Sequence, residues 1–185
     1  MEKLTKQLIR QEIKSAKKLL TKEEVSQKSR QIIDRLIDTT EYKEAARIYT
    51  YVNYNTEVDT ILLIQKAFDD GKIVLVPKVY EDVMKFHVLT SLEELEKGAY
   101  GILEPKSFTK TDEIHSGLMI MPGLCFDREC HRIGYGGGFY DKYLEQHQDF
   151  YKISLCYDFQ IYDKIPSDEY DIKVDKVISE NRVIQ

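Results

Sequence analysis

A chain of 185 residues with 42% hydrophobic and 32% charged residues has the composition of a folded soluble protein and excludes a disordered, coiled-coil or membrane-spanning one. Its length is that of one domain, residues 1–185, which buries roughly two thirds of the surface its unfolded form exposes. The net charge of −5, with lysines scattered along the chain, argues against an extended nucleic-acid surface and leaves room for local basic groups that hold a small anion.

The N-terminal segment MEKLTKQLIRQEIKSAKK has neither the apolar run of a secretory signal nor the acid-poor composition of a transit peptide. The longest apolar runs, KIVLVPKV and GLMIMPGL, fall far short of the about 18 residues that span a bilayer, so a cytoplasmic location without a membrane partner is expected. Cys125, Cys130 and Cys156 read as thiols outside any disulfide framework, and the grouping Cys125, Cys130, His131 matches no common zinc spacing.

In chain order, Leu4, Leu8, Ile13, Ala16 and Leu20 predict an amphipathic helix near residues 3–20. Its other face carries Lys6, Arg10, Lys14 and Lys17, which on spacing alone read as solvated. Thr21 with Glu24 three residues later forms a capping box and opens a second helix through Ile32, Ile33, Leu36 and Ile37. ARIYTYV reads as a strand. A third helix is expected from Thr56, ending at Gly71 in a left-handed cap, and KIVLVPKV follows as a strand covered on both faces.

MKFHVL reads as an edge strand and SLEELEKG as a short helix from Ser91 to Gly98. GLMIMPG is another buried strand, FYDKYLEQH a helix and YKISLCYDF a strand, with DKVIS and RVI closing the chain. Strands alternating with helices predict an α/β fold with a mostly parallel central sheet and helices on both faces.

Between GLMIMPG and FYDKYLEQH lie four of the nine glycines, Gly134, Gly136, Gly137 and Gly138, in a strand-to-helix connection where parallel sheets bind ligands. Glycines there let the backbone approach an anion while the helix N-terminus points at it. The spacing is neither Walker A nor G-x-G-x-x-G, so a phosphate cradle and a flexible turn both stay open. Arg132 offers a planar fork to phosphate oxygens, and Asp141 and the acidic run PSDEYDIKVD offer carboxylates for a magnesium ion or for solvent.

KQLIR, NTEVDT, MPGLCFDRECHRIGYGGGFYDKYL and IPSDEYDIKVD, in this order, resemble the 5-formyltetrahydrofolate cyclo-ligase family. Most specific are Pro122, Gly123, Phe126 and Asp127 followed by Gly134 to Asp141. The resemblance implies a three-layer α/β/α fold related to the ribose-phosphate isomerase and CoA-transferase group. It also implies an enzyme that uses ATP and Mg2+ to convert 5-formyltetrahydrofolate to 5,10-methenyltetrahydrofolate, ADP and phosphate. Carried over by position, Lys6, Gln7, Leu8, Ile9, Arg10, Arg132, Ile133, Gly134, Tyr135, Gly136, Gly137, Gly138, Phe139 and Tyr140 would touch ATP, with Arg10, Arg132 and Tyr140 in catalysis. Val52, Glu57 and Tyr135 to Phe139 would contact the folate, and Asp141 and Asp171 would hold magnesium.

The partners implied are the folate and ATP, with no nucleic acid and no membrane, on a monomer or a homodimer. A nucleotide-binding regulatory protein, or a sugar-phosphate isomerase or CoA-transferase on a similar fold, is the alternative, because fold alone does not assign chemistry.

Overall fold

The computed structural model describes residues 5–98 and 101–185. Leu4, the first apolar position expected in the opening helix, lies outside them. Helix α1 (Lys6–Lys18) starts at Thr5, whose hydroxyl accepts the Leu8 N–H. Helix α2 (Lys22–Ile37) starts at the capping box, with Thr21 and Glu24 each accepting the other's N–H. Such a cap stabilises a helix by about 1 kcal/mol. A short helix α3 (Thr40–Glu44), capped by Thr39, was not expected from the sequence.

Strand β1 (Arg47–Thr50) leads through α4 (Thr60–Asp69) to β2 (Ile73–Tyr80) and the antiparallel β3 (Val83–Leu89). Helix α4 begins at Thr60 rather than Thr56, because Asp59 caps it by accepting the Ile61 N–H. Asn53 and the Thr60 hydroxyl instead tie the preceding residues into a connection. The helix ends as expected, with Gly71 at φ 69°.

SLEELEKG does not form the expected helix. Ser91 caps only a 3-10 turn, Leu92–Glu94, after which β4 (Leu95–Lys97) pairs with β5 (Leu103–Pro105). The Glu94 carboxylate turns back to the Thr90 N–H and hydroxyl, which closes the turn after three residues.

The chain then enters β6 (Gly117–Met121), the hairpin β7 (Cys125–Asp127) and β8 (Arg132–Ile133), helix α5 (Phe139–Gln146) and β9 (Phe150–Leu155). It closes with β10 (Ile161–Tyr162), β11 (Lys176–Ile178) and β12 (Val183–Ile184). Among the described residues the main sheet runs β12-β11-β9-β6-β1-β2-β3. Its five inner strands are parallel and both edge strands antiparallel.

The two-residue repeat of the strands divides the core. Ile48, Val74, Val76, Leu118, Ile120, Ile153 and Leu155 face α2 and α4. Tyr49, Leu75, Met119 and Met121 face Tyr143 and Leu144 of α5 together with Phe86 of β3. Each fully buried aliphatic side chain contributes about 2 kcal/mol of transfer free energy. The result is three layers, as expected. Among the described residues no helix is long and apolar enough to cross a membrane.

Helix α1 lies apart from these layers. Ile9 and Ile13 pack on the small sheet β10-β7-β8 against Leu124, Cys125, Ile133 and Ile165. All three cysteines are buried and free, and burial pushes the Cys125 thiol up to about 12.

Candidate functional site

From β1 the chain crosses through α4 to β2 on one side, and from β6 through α5 to β9 on the other. The boundary between β1 and β6 is therefore the topological switch point, where open α/β sheets bind ligands beyond the strand ends. A cleft of about 900 Å³ opens there. Tyr51, Val52 and Glu57 line it after β1, Pro122 after β6, and Arg132 to Asp141 through the glycine loop into α5. Lys6 and Arg10 reach it from α1, and Asp171 from the loop before β11.

Asp127 is fully buried and braces the β7–β8 turn from which Arg132 projects. Its carboxylate accepts the N–H groups of Glu129, His131 and Ile165. The His131 ring donates from Nδ1 to Oδ2 at 3.0 Å. The phenylalanine-aspartate pair of the sequence motif is thus architectural: Phe126 is core and Asp127 holds the turn.

Arg132 is buried and donates from Nη1 to the Pro122 carbonyl at 3.2 Å. Its Nη2 reaches both carboxylate oxygens of Asp141. A Cβ on Gly134 would stand 2.7 Å from Arg132 Nη1, and one on Gly123 would meet the Phe126 ring and the Arg132 stem. These two glycines make room for the arginine and its neighbour. Gly138, at φ 67°, is the N-cap of α5 and supplies no side-chain cap, so the first N–H groups of the helix keep their affinity for an anion.

Arg10 donates from Nε to the Gly134 carbonyl at 2.9 Å, which ties α1 to the glycine loop. Lys6 forms ion pairs with Asp168, at 2.5 Å, and with Asp171. Burial alone would lower the Lys6 pKa, but the two carboxylates outweigh it and raise it. Burial likewise works to raise Asp171, while Lys6 and the Asp168 N–H bring it below the usual carboxylate range. The Ile172 N–H points to Asp141 Oδ1 at 3.4 Å, so the two expected metal carboxylates face one region of the cleft.

On the other side, the half-buried Glu57 accepts the Tyr135 hydroxyl at 2.6 Å and the Tyr54 N–H at 2.8 Å. Burial raises its pKa above the usual range, against the pull of these donors and of Lys17. Among the described residues only two buried side-chain polar atoms lack a hydrogen-bond partner, Arg132 Nε and the Tyr140 hydroxyl. Both belong to residues of this cleft.

The structure thus brings Lys6, Arg10, Val52, Glu57, Arg132 to Asp141 and Asp171 together. Gln7, Leu8 and Ile9 are turned away from the cleft, because only positions four apart on α1 share the face of Lys6 and Arg10. Gln7 and Leu8 are exposed, and Ile9 is core. The solvated face expected for the basic residues of α1 is corrected: Lys14 is exposed, Lys6 and Arg10 are partly buried and Lys17 is buried.

Sequence reasoning missed the facing wall, made by Pro77, Lys78, Val79 and Met84 of the β2–β3 hairpin with Leu103. Lys78 there donates to the Pro105 carbonyl at 2.9 Å. Position in the fold, at the carboxyl end of a strand beside the switch point, is the signal that marks it.

An open, mostly parallel sheet with a glycine-rich, helix-ended cleft at its switch point, lined by Lys6, Arg10, Lys78 and Arg132 together with carboxylates, defines an α/β protein with a ligand cleft beyond its strand ends. The 5-formyltetrahydrofolate cyclo-ligase family model matches residues 2–180. A mouse 5-formyltetrahydrofolate cyclo-ligase is 33% identical over 94% of this chain and 92% of its own. A probable 5-formyltetrahydrofolate cyclo-ligase of Schizosaccharomyces pombe is 31% identical over 87% and 88%. The solved structure of Aquifex aeolicus 5,10-methenyltetrahydrofolate synthetase superposes with a TM-score of 0.87, at 28% identity over 97% of this chain and 92% of that one. The chain belongs to the 5-formyltetrahydrofolate cyclo-ligase family.

Proposed function

We propose that this protein closes 5-formyltetrahydrofolate to 5,10-methenyltetrahydrofolate at the expense of ATP, with ADP and phosphate released. One observation carries the reading beyond family membership. A cationic cradle of Arg10, Arg132 and the glycine loop shares one cleft with Glu57, and Tyr135 of that loop is hydrogen-bonded to Glu57. Phosphate and pterin groups bound there would meet across the glycines.

The N5-formyl group is an amide, too weak an electrophile for N10 to attack unaided. Its oxygen attacks the γ-phosphorus of ATP, the bond to the bridging oxygen of ADP breaks, and C–N double-bond character develops at N5. N10 then adds to the activated carbon and loses its proton, and the former formyl oxygen leaves with the phosphate. Such chemistry asks for positioning and charge neutralisation rather than a protein nucleophile.

Arg10 and Arg132 offset phosphate charge, and the glycine-loop and α5 N–H groups orient the transferring group. Glu57 accepts the pterin's N–H donors in place of the Tyr135 hydroxyl. The Tyr140 hydroxyl, protonated because burial and then the Glu57 charge raise its pKa, is a neutral donor awaiting a ligand oxygen. Magnesium takes one or two carboxylates together with phosphate oxygens and water, which fits Asp141 and Asp171 as its holders; bound there it would neutralise phosphate charge.

The protein incubated with 5-formyltetrahydrofolate, ATP and magnesium should generate the near-ultraviolet absorbance of the methenyl product in step with ADP. ADP without that absorbance would indicate another phosphoryl acceptor, and neither product would sink the reading.

A further inference from the structure

Both oxygens of the Glu57 carboxylate have donors from within the chain. Tyr135, in the glycine loop, donates its hydroxyl to Oε1 at 2.6 Å, bridging two walls of the cleft. The Tyr54 N–H donates to Oε2 at 2.8 Å.

The two donors differ in how they are held. The Tyr54 N–H belongs to a turn that Glu57 itself closes, because the Glu57 N–H returns to the Tyr54 carbonyl at 3.2 Å. Behind it the Tyr157 hydroxyl fixes the Glu57 carbonyl at 3.1 Å. That half of the contact is built into the fold. Tyr135 is the opposite case, a side chain 45% exposed on a tether of glycine. Arg10 pins the loop just before it, through the Gly134 carbonyl, and the exposed Gly136, Gly137 and Gly138 follow it. Gly136 and Gly138 have positive φ and nothing within 4 Å of a Cβ position, so this segment has open space to move into and few steric restraints on its backbone. A hydroxyl donating to a carboxylate makes a strong, short bond, which is enough to hold such a segment in one place.

We propose that Tyr135 is an internal occupant of the folate anchor: in the ligand-free protein its hydroxyl fills Glu57 Oε1 and straps the glycine loop across the cleft, and it swings away when a ligand N–H donor takes its place. This rests on the reading of Glu57 as the folate anchor. Tyr135 then sets folate affinity by competition, since only the unstrapped fraction of the protein accepts the pterin and the apparent affinity falls by that fraction. Glu57, fixed by its own turn, stays where it is; the loop is the moving part.

Tyr135→Phe keeps the ring and removes the donor at an exposed site, so folding is retained. In the ligand-free protein, amide exchange over residues 135–138 should quicken about three- to tenfold in Tyr135→Phe and in Glu57→Ala, with no further gain in the double variant. In calorimetric titration without nucleotide, Tyr135→Phe should bind 5-formyltetrahydrofolate about three- to tenfold more tightly than wild type. Unchanged exchange overturns the strap. Folate bound equally or less tightly overturns the competition, weaker binding meaning that the hydroxyl contacts the ligand directly. Should neither protein bind 5-formyltetrahydrofolate while exchange responds as stated, the folate reading of Glu57 fails together with the competition, and the strap alone stands.

Discussion

Arg132 Nη2 stands 2.9 Å from Oδ1 and 3.0 Å from Oδ2 of Asp141, so one guanidinium nitrogen serves both oxygens of a carboxylate proposed to hold metal. Lys6 pairs with the other such carboxylate, Asp171, through Oδ2, and with Asp168. In the ligand-free protein the cations proposed for phosphate and the carboxylates proposed for magnesium thus pair with each other. Loading then becomes an exchange of partners, in which phosphates take the cations as the metal takes the carboxylates. Asp141→Asn should therefore bind magnesium-free ATP about three- to tenfold more tightly than wild type, because Arg132 is released from a competing anion. The same variant should lose most magnesium-dependent turnover. Calorimetric titration with ATP in the presence of a chelator reads the first effect, and unchanged or weaker binding would show that the pair does not compete with phosphate.

Gly134→Ala should act on Arg132 without straining the backbone, since Gly134 has no positive φ and its Cβ would press on Nη1. The expectation is a KM for ATP raised about tenfold with less than about 1 kcal/mol lost in stability. Gly136→Ala should do the reverse. Nothing lies within 4 Å of its Cβ, but its φ of 110° costs an alanine about 1–3 kcal/mol. Steady-state kinetics beside urea denaturation of both variants separates the two causes.

Tyr140→Phe removes a buried hydroxyl that has no partner in the protein, so folding stability should stay level or rise slightly. Its ring, edge-on to Phe86 at 6.3 Å, keeps its packing. Turnover should nevertheless fall about tenfold if the hydroxyl meets a ligand oxygen during reaction. Equal turnover together with equal melting temperature would leave the hydroxyl without a role.

Much of this arrangement is legible in the sequence, and the misses share a physical origin. The strand, helix, strand order follows from apolar runs and caps such as Thr21 with Glu24, because both are local signals. The glycine cluster and Arg132 single out the loop that lines the cleft, while leaving open whether it is a phosphate cradle or a turn. What stayed hidden depends on tertiary placement. Lys17 reads as one more basic residue on a polar face until α1 is docked on β7, and the Pro77–Val79 wall reads as plain strand until β2 borders the cleft. SLEELEKG misleads because Glu94 serves Thr90 instead of continuing a helix.

Asp112→Ala supplies a control far from the cleft, at the opposite end of β1. The Asp112 side chain is almost fully buried, pairs with Arg47, and accepts the Tyr49 hydroxyl at 2.7 Å and the N–H groups of Ile114 and His115. Burial pushes its pKa up, yet these donors and Arg47 carry it below the ordinary value of 3.8. Its contribution is therefore complete above that value and is lost as pH falls through the depressed one. Removal should cost about 3–5 kcal/mol, leave both Michaelis constants unchanged, and flatten the loss of wild-type stability below about pH 4. Denaturant titrations between pH 3 and 7 measure it.

Lys6 and Asp171 stand 165 residues apart in sequence and touch across the cleft. During synthesis Lys6 of α1 emerges well before the carboxylate that pairs with it. On the proposed reading, the nucleotide side of the cleft is therefore completed only after the inner strands β1, β2, β6 and β9 have been made. A nucleotide held as proposed, bridging the first helix and the loop before β11, would fasten both segments against fraying, and slowed amide exchange in α1 on addition of ATP would register it.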